Sequence, residues 1–313
     1  MTESLPWLDA DRILTAVGFT RAITALTEAI TAGLDPVSAA TRTVVPVASG
    51  ELLLMPAATS ESVGVKVATV APNNPARGMP RIQALYLLID AATLTPRVLL
   101  DGTALTTLRT PALSAVAASY LAAPEASRLL VFGSGPQAWG HVHALACVRP
   151  LTDITIVGRS SASAGVSEVV EKLRHEGFAA RPGAPEDVAD ADIIVCATTA
   201  RTPLFAETEV SARALVVAVG SHEPEAREVD AAFVHRAQTV VEDPATALRE
   251  AGDIIQAIAE RGPLTLIPLG SLVHGEATVD FSRPRFFKSV GMGWEDLVVA
   301  QACVRASWPS NEH

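Results

Sequence analysis

Cysteine is scarce in this 313-residue chain: Cys147, Cys196 and Cys303, an odd number scattered through apolar runs. A disulfide framework needs pairs and a metal centre needs clustered ligands, so neither is expected; buried free thiols in a reducing compartment are. Aromatic residues supply only 4% of the chain against 49% hydrophobic residues in all, so small aliphatic side chains must fill the core, as in α/β enzymes. Positive charge is short as well. Lys and Arg number 24 against 34 Asp and Glu, a net −10, and no cluster exceeds two adjacent cations. That argues against nucleic acid or an anionic membrane surface as a partner. No apolar run approaches the roughly 20 residues of a membrane span, and the N-terminus has neither a basic n-region nor an apolar h-region. A soluble, cytoplasmic protein is expected, long enough for two domains with a large core.

What is present centres on residues 129–141, Leu-Leu-Val-Phe-Gly-Ser-Gly-Pro-Gln-Ala-Trp-Gly-His. Four apolar residues predict a buried strand that breaks at Gly133, Ser134 and Gly135. Residues 137–148 continue with helical spacing, with Ala138, Val142, Leu145 and Ala146 on one side. Strand, glycine turn and helix in that order cradle a pyrophosphate. Gly133 permits the sharp turn, Gly135 omits a Cβ that would hold the phosphates off, and helix N–H groups face the anion. Ala138 stands where the third small residue of the fingerprint belongs.

A lone glycine fingerprint is weak, so context matters. Apolar runs at 153–159, 191–199 and 214–220 alternate with helical stretches, which predicts a doubly wound parallel sheet with the fingerprint on its first strand. The second strand ends Gly158-Arg159-Ser160-Ser161, where an NAD-specific fold usually carries an acid for the ribose hydroxyls. Arg159 and Ser160 suit a 2′-phosphate instead, so NADP(H) is the expected cofactor, with NAD(H) as the alternative. An ordinary surface arginine after a strand would read the same way.

The first 120 residues have a different character. A helical opening over 8–32 precedes β-rich segments at 41–47, 52–56, 63–70, 82–89 and 97–100, and an alanine-rich helix follows Arg109. Domain bounds of 1–124 with 288–313, and 125–287, follow from the 123–127 linker and a returning C-terminal helix beginning near Glu295. Residues 245–260 read as one helix. Within the strand-rich part, Lys66 interrupts an apolar strand, Arg109 ends a Thr/Leu stretch before its helix, and Arg42 has no local acid. Long cations often snorkel, but three isolated ones also suit a carboxylate pocket.

These segments together carry a resemblance. Arg42-Thr-Val-Val-Pro46, Leu54-Met-Pro-Ala57, Gly64-Val-Lys-Val67, Leu100-Asp-Gly102 and Leu105-Thr-Thr-Leu-Arg-Thr-Pro-Ala112 come in order. Gly133-Ser-Gly-Pro-Gln137, Ala218-Val-Gly220, Arg227-Glu-Val-Asp230 and Phe287-Lys-Ser-Val-Gly-Met292 complete the set. The chain resembles the ornithine cyclodeaminase/mu-crystallin family almost end to end. The resemblance implies a Rossmann-type doubly wound sheet, plus a strand-rich α+β domain for substrate and for homodimer formation. It also implies that Arg42, Lys66 and Arg109 hold the substrate carboxylate. Gly133, Ser134, Gly135, Pro136, Gln137, Ala138, Thr110, Arg159, Ser160, Thr198, Val219, Lys288 and Ser289 would line the dinucleotide.

The family divides by chemistry. Cyclodeaminases carry a Glu immediately before Leu-Met-Pro, an Asp two residues after the Val-Gly, and an acid ending the second strand; here Leu53, His222 and Arg159 stand there. Mu-crystallin-like ketimine reductases lack those acids too. The implied activity is NAD(P)H-dependent reduction of a C=N bond beside a carboxylate, in a cyclic ketimine or imino acid. Arg42 and Arg109 would clamp the carboxylate, Lys66 would relay a proton, and His222 would be a second donor or merely a turn cap. Ornithine cyclodeaminase, an alanine-type dehydrogenase, and a non-catalytic NADPH- or ligand-binding protein are the alternatives. Arg81-Ile82 stands where many members read Ser-His, which leaves the pocket floor open.

Overall fold

The computed structural model describes residues 4–36, 40–159 and 163–308. The chain divides into two compact units, Met1–Arg109 with Met292–His313, and Thr110–Gly291. The division falls inside a helix rather than at the linker near residue 124.

The first unit begins with β1 (Trp7–Leu8), α1 (Ala10–Ala16) and α2 (Gly18–Thr31). The single opening helix expected over 8–32 is therefore two, because Gly18 takes a left-handed φ of 60° between them. Then come β2 (Thr43–Val47), β3 (Gly50–Ala58), β4 (Ser62–Val70), β5 (Ile82–Asp90) and β6 (Pro96–Asp101). They form a sheet in the order β1-β6-β5-β4-β3-β2, antiparallel except for the β1–β6 pair. Period-two alternation sorts its residues. Leu53, Met55, Lys66, Ala68, Tyr86 and Leu88 are buried, whereas Val67 and Leu85 on the opposite side are 38% and 50% exposed.

Helix α3 (Gly102–Leu121) starts well before the expected alanine-rich stretch. Asp101 Oδ1 accepts from the N–H groups of Thr103 and Ala104, capping the helix at that point. Arg109 thus sits two turns into α3 rather than in a loop ahead of it, and Pro111 lies in the helix interior.

The second unit runs β7 (Arg128–Phe132), α4 (Pro136–Ala146), β8 (Asp153–Val157), α5 (Ala164–His175), β9 (Ala180–Pro182), β10 (Ile193–Cys196), β11 (Leu215–Ala218), α6 (Ala231–Arg236), β12 (Gln238–Val241), α7 (Pro244–Glu250), α8 (Gly252–Arg261), β13 (Leu266–Pro268), α9 (Leu269–Val273) and β14 (Arg285–Lys288). All eight strands are parallel, in the order β13-β12-β14-β11-β10-β7-β8-β9. The order reverses at β7 and β10, the topological switch point of a Rossmann-type sheet, and the glycine turn leaves from there. The expected helix over 245–260 breaks at Ala251, whose extended ψ of 98° ends α7 and starts α8, and Gly252 follows because a Cβ there would stand 2.1 Å from the Ala226 carbonyl oxygen. β-Branched runs buried on both faces supply the core, with Phe132, Phe205, Phe233 and Phe286 packed among them.

The chain returns to the first unit as α10 (Gly293–Ser307), which packs on β3, β4, β5 and α2. No single described helix is long and apolar enough to cross a membrane. Cys196 and Cys303 are buried as expected, but Cys147 is exposed just past α4, contrary to its apolar setting in sequence. Among the described residues no group of three potential metal ligands forms.

Candidate active site

In the first unit, strand register and helix phase bring four charges together. Lys66 lies mid-β4, between Met55 of β3 and Tyr86 of β5, on the buried face. α10 lays its first turn over that face, where Glu295 and Asp296 are both fully buried. Lys66 Nζ lies 3.0 Å from Asp296 Oδ1 and 2.8 Å from Oδ2, and donates to Thr106 Oγ1 at 3.2 Å. Arg109, two turns into α3, donates through NH1 to Glu295 Oε2 at 2.6 Å, while its Nε lies 3.3 Å from Asp296 Oδ1. The other oxygen of Glu295 accepts the Met292 N–H at 2.6 Å and caps its own helix. Two cations thus meet two carboxylates away from water, which offsets most of the cost of burying either sign alone. Gly293 makes the approach possible, since a Cβ there would sit 2.7 Å from the Pro56 carbonyl oxygen.

The electrostatics follow. Burial, then the Arg109 guanidinium, brings the Lys66 ammonium down from its usual range to about 8, and Asp296 and Glu295 oppose that fall. Burial outweighs the Arg109 contribution. Burial and the Asp296 charge push the Tyr86 phenol up, so it stays neutral. Arg42 stands half-buried one residue ahead of β2. Leu53, at the position where cyclodeaminases carry an acid, is buried in a small apolar cluster with Ala68 and Val70, against Ala84.

In the second unit the glycine turn fits a dinucleotide. Gly133 has a φ of 122°, and a Cβ on it would lie 2.5 Å from the Ala197 carbonyl oxygen; only glycine serves there. A Cβ on Gly135 would meet nothing within 4 Å, so the chain faces open space where a phosphate would approach. Gly135 is the N-cap of α4 with no side chain bonded over the helix end, Pro136 opens the helix, and Ser134, Gln137 and Ala138 complete the turn. Gln137 is anchored from behind. Its carbonyl oxygen lies 2.7 Å from His141 Nδ1, and His141 Nε2 lies 2.9 Å from Ser114 Oγ, one turn along α3 from Thr110. Burial holds the imidazole down at about 4, so it is neutral at physiological pH.

Other expected cofactor residues are placed differently. Thr198, just past β10, donates through both N and Oγ1 to Glu228 at 2.7 Å. Val219 follows β11, and Gly220 N donates to the second oxygen of Glu228 at 2.8 Å. Lys288 is buried; it donates to the Ser221 carbonyl at 2.7 Å and pairs with Asp253 at 3.0 Å. Ser289 is also buried and donates to Glu242 at 2.6 Å. The side chains of Lys288 and Ser289 are thus engaged inside the protein. Arg159 is exposed after β8, His222 is half-buried after β11, and Ser160 lies outside the described residues.

Sequence reasoning passed over Glu295, Asp296, His141, Asp253 and Glu242. Adjacent acids at a helix start read as favourable partners of the helix dipole. Their pairing with Lys66 and Arg109 spans 230 and 186 residues, and no local pattern carries it.

Residues 12–312 match the model of the ornithine cyclodeaminase/mu-crystallin family. The chain is 35% identical over 262 residues to the Delta(1)-pyrroline-2-carboxylate/Delta(1)-piperideine-2-carboxylate reductase of Azospirillum brasilense, covering 83% of this chain and 82% of that one. Among solved structures, Thermococcus litoralis Delta(1)-pyrroline-2-carboxylate reductase, in complex with NADH and L-proline, superimposes with a TM-score of 0.91 at 26% identity, covering 97% of both chains. A probable ornithine cyclodeaminase from Bordetella pertussis Tohama I gives a TM-score of 0.87 at 32% identity, over 98% of this chain and 99% of that one. With both the family's strand-rich residues and its nucleotide fold in place, the chain belongs to the ornithine cyclodeaminase/mu-crystallin family.

Proposed function

We propose that the protein reduces the C=N bond of a cyclic 2-imino acid, a pyrroline- or piperideine-2-carboxylate, with NADPH preferred over NADH. The observation that carries the reading is the buried Lys66 and Arg109 pair, set beside an apolar Leu53 rather than an acid. A lysine brought to about 8 can give a proton at neutral pH, and a guanidinium matches a carboxylate with paired hydrogen bonds. Names borne by relatives of 33–35% identity support the same chemistry.

In this reading Arg109 and Arg42 hold the substrate carboxylate and so fix the imine carbon and nitrogen. Lys66 protonates the imine nitrogen. The dinucleotide, held at Gly133, Gly135, Gln137 and Thr110, supplies the hydride when bound. Arg159 selects the 2′-phosphate, and His222, at the carboxyl end of the parallel sheet, is a second proton donor. Lys288 and Ser289 serve by fixing the loops around Ser221 and Glu242. Leu53 leaves no acid for a second substrate amino group, which favours a ring over ornithine. A homodimer is also proposed, on the exposed apolar side of the first unit's sheet around Val67 and Leu85.

The test is oxidation of NADPH, and of NADH, with 1-pyrroline-2-carboxylate and 1-piperideine-2-carboxylate, run beside ornithine plus NAD assayed for ammonia. Consumption of NADPH with either imine is expected. Ammonia from ornithine without imine reduction would replace this reading with cyclodeaminase.

A further inference from the structure

Imine reduction needs a proton on nitrogen, yet the lysine offered for it sits where an ammonium is disfavoured. Burial and a neighbouring guanidinium both drive the proton off. The groups facing Lys66 can be named element by element: Arg109 and Thr106 on α3, Tyr86 on β5, Met55 on β3, and Glu295 and Asp296 on α10. Tyr86 is neutral and Met55 does not titrate. Glu295 is committed at 2.6 Å on both sides, to Arg109 and to the Met292 N–H. Asp296 remains. Both of its oxygens lie within 3.0 Å of Lys66 Nζ, and Oδ1 also lies 3.3 Å from Arg109 Nε.

We propose that Asp296 is a positioning residue that keeps the Lys66 ammonium charged and aimed, so that a buried lysine serves as the acid for imine reduction. The inference rests on the imine-reductase reading. In the step, one Nζ–H bond of Lys66 breaks and its proton forms the N–H bond on the imine. Hydride from the reduced nicotinamide adds to the carbon, C=N becomes C–NH, the nicotinamide is oxidised, and lysine regains a proton from water. The positive charge passes from lysine to the substrate nitrogen with the proton, is cancelled there by the hydride, and ends on the oxidised nicotinamide. Asp296 faces the Lys66 ammonium before the transfer and again once lysine has regained its proton, and Glu295 holds Arg109 in place.

The experiment is the pH profile of kcat for NADPH oxidation with saturating 1-pyrroline-2-carboxylate, in wild type and in Asp296→Asn, Asp296→Ser and Asp296→Glu. The substrate's own titration is common to all four, so differences between profiles belong to the protein. Wild type should lose activity above about pH 8. Asp296→Asn and Asp296→Ser should move that limb down by about one pH unit or more, with activity regained on acidification. Asp296→Glu should restore it to within about half a unit. A limb that does not move in a folded neutral variant overturns the proposal. So does failure of both neutral variants to fold while Asp296→Glu folds, which assigns Asp296 to the scaffold. Wild type that turns over no imino acid would instead sink the functional reading.

Discussion

Each unit buries a cluster of charges, and the two are wired in opposite ways. In the second unit Glu228 accepts from the Thr198 and Gly220 backbones, Asp253 accepts from the Glu228 and Val229 backbones, and Lys288 donates to the Ser221 carbonyl. Those charges hold loops at the carboxyl ends of β10 and β11. In the first unit Lys66 pairs with the Asp296 side chain and donates to Thr106, and Arg109 pairs with the side chains of Glu295 and Asp296. A charge bonded to backbone stiffens a frame. A charge balanced by another side chain can be re-addressed when a charged ligand arrives, because a side-chain partner can turn where a backbone group cannot. The first cluster is therefore suited to chemistry and the second to scaffolding.

The contrast is sharpest in the two lysines. Lys66→Ala should lower kcat for imine reduction by on the order of 10²–10⁴-fold, measured per folded molecule. Lys288→Met should appear first in stability, as a loss of about 3–5 kcal/mol in denaturant unfolding, because Asp253 is left buried without its cation. Turnover retained in Lys66→Ala would break the comparison.

His141 gives a pH test of the scaffold. Its pKa is near 4 in the folded protein, below the unfolded value of 6.5, so the unfolded chain binds more protons between those limits. Stability should hold above pH 6.5 and fall as pH drops toward 4, by about 3 kcal/mol from this residue alone. Unfolding midpoints across that range check it, and His141→Gln should flatten the slope.

The smallest effect is expected at the surface. Arg159→Ala should raise KM for NADPH about tenfold, the value of one charge-assisted hydrogen bond, and leave KM for NADH nearly unchanged. Equal effects on both cofactors would mean that Arg159 does not read the phosphate.

Legibility tracked the range of the interaction. The glycine turn at Gly133 and Gly135 was readable because strand, turn and helix are contiguous, and the parallel strands because their apolar runs are short and bounded. Lys66 stood out because its neighbours in the strand are apolar. The start of α3 was missed because the Asp101 side chain caps it, while the alanine-rich stretch begins only after Arg109. The breaks at Gly18 and Ala251 were missed because each is a backbone conformation, a left-handed φ at the one and an extended ψ at the other. The internal bonds of Lys288 and Ser289 were not legible because a sequence does not show which polar atoms are already bonded.

By itself, then, the sequence determined the fold class, the family, the glycine cradle and the unusual cations, since each is written in local order or in residue type. The tertiary structure decided what those cations do. Only folding brings Asp296 and Glu295 across some two hundred residues to Lys66 and Arg109. In that dry setting the proton balance of a lysine depends on which carboxylate stands next to it.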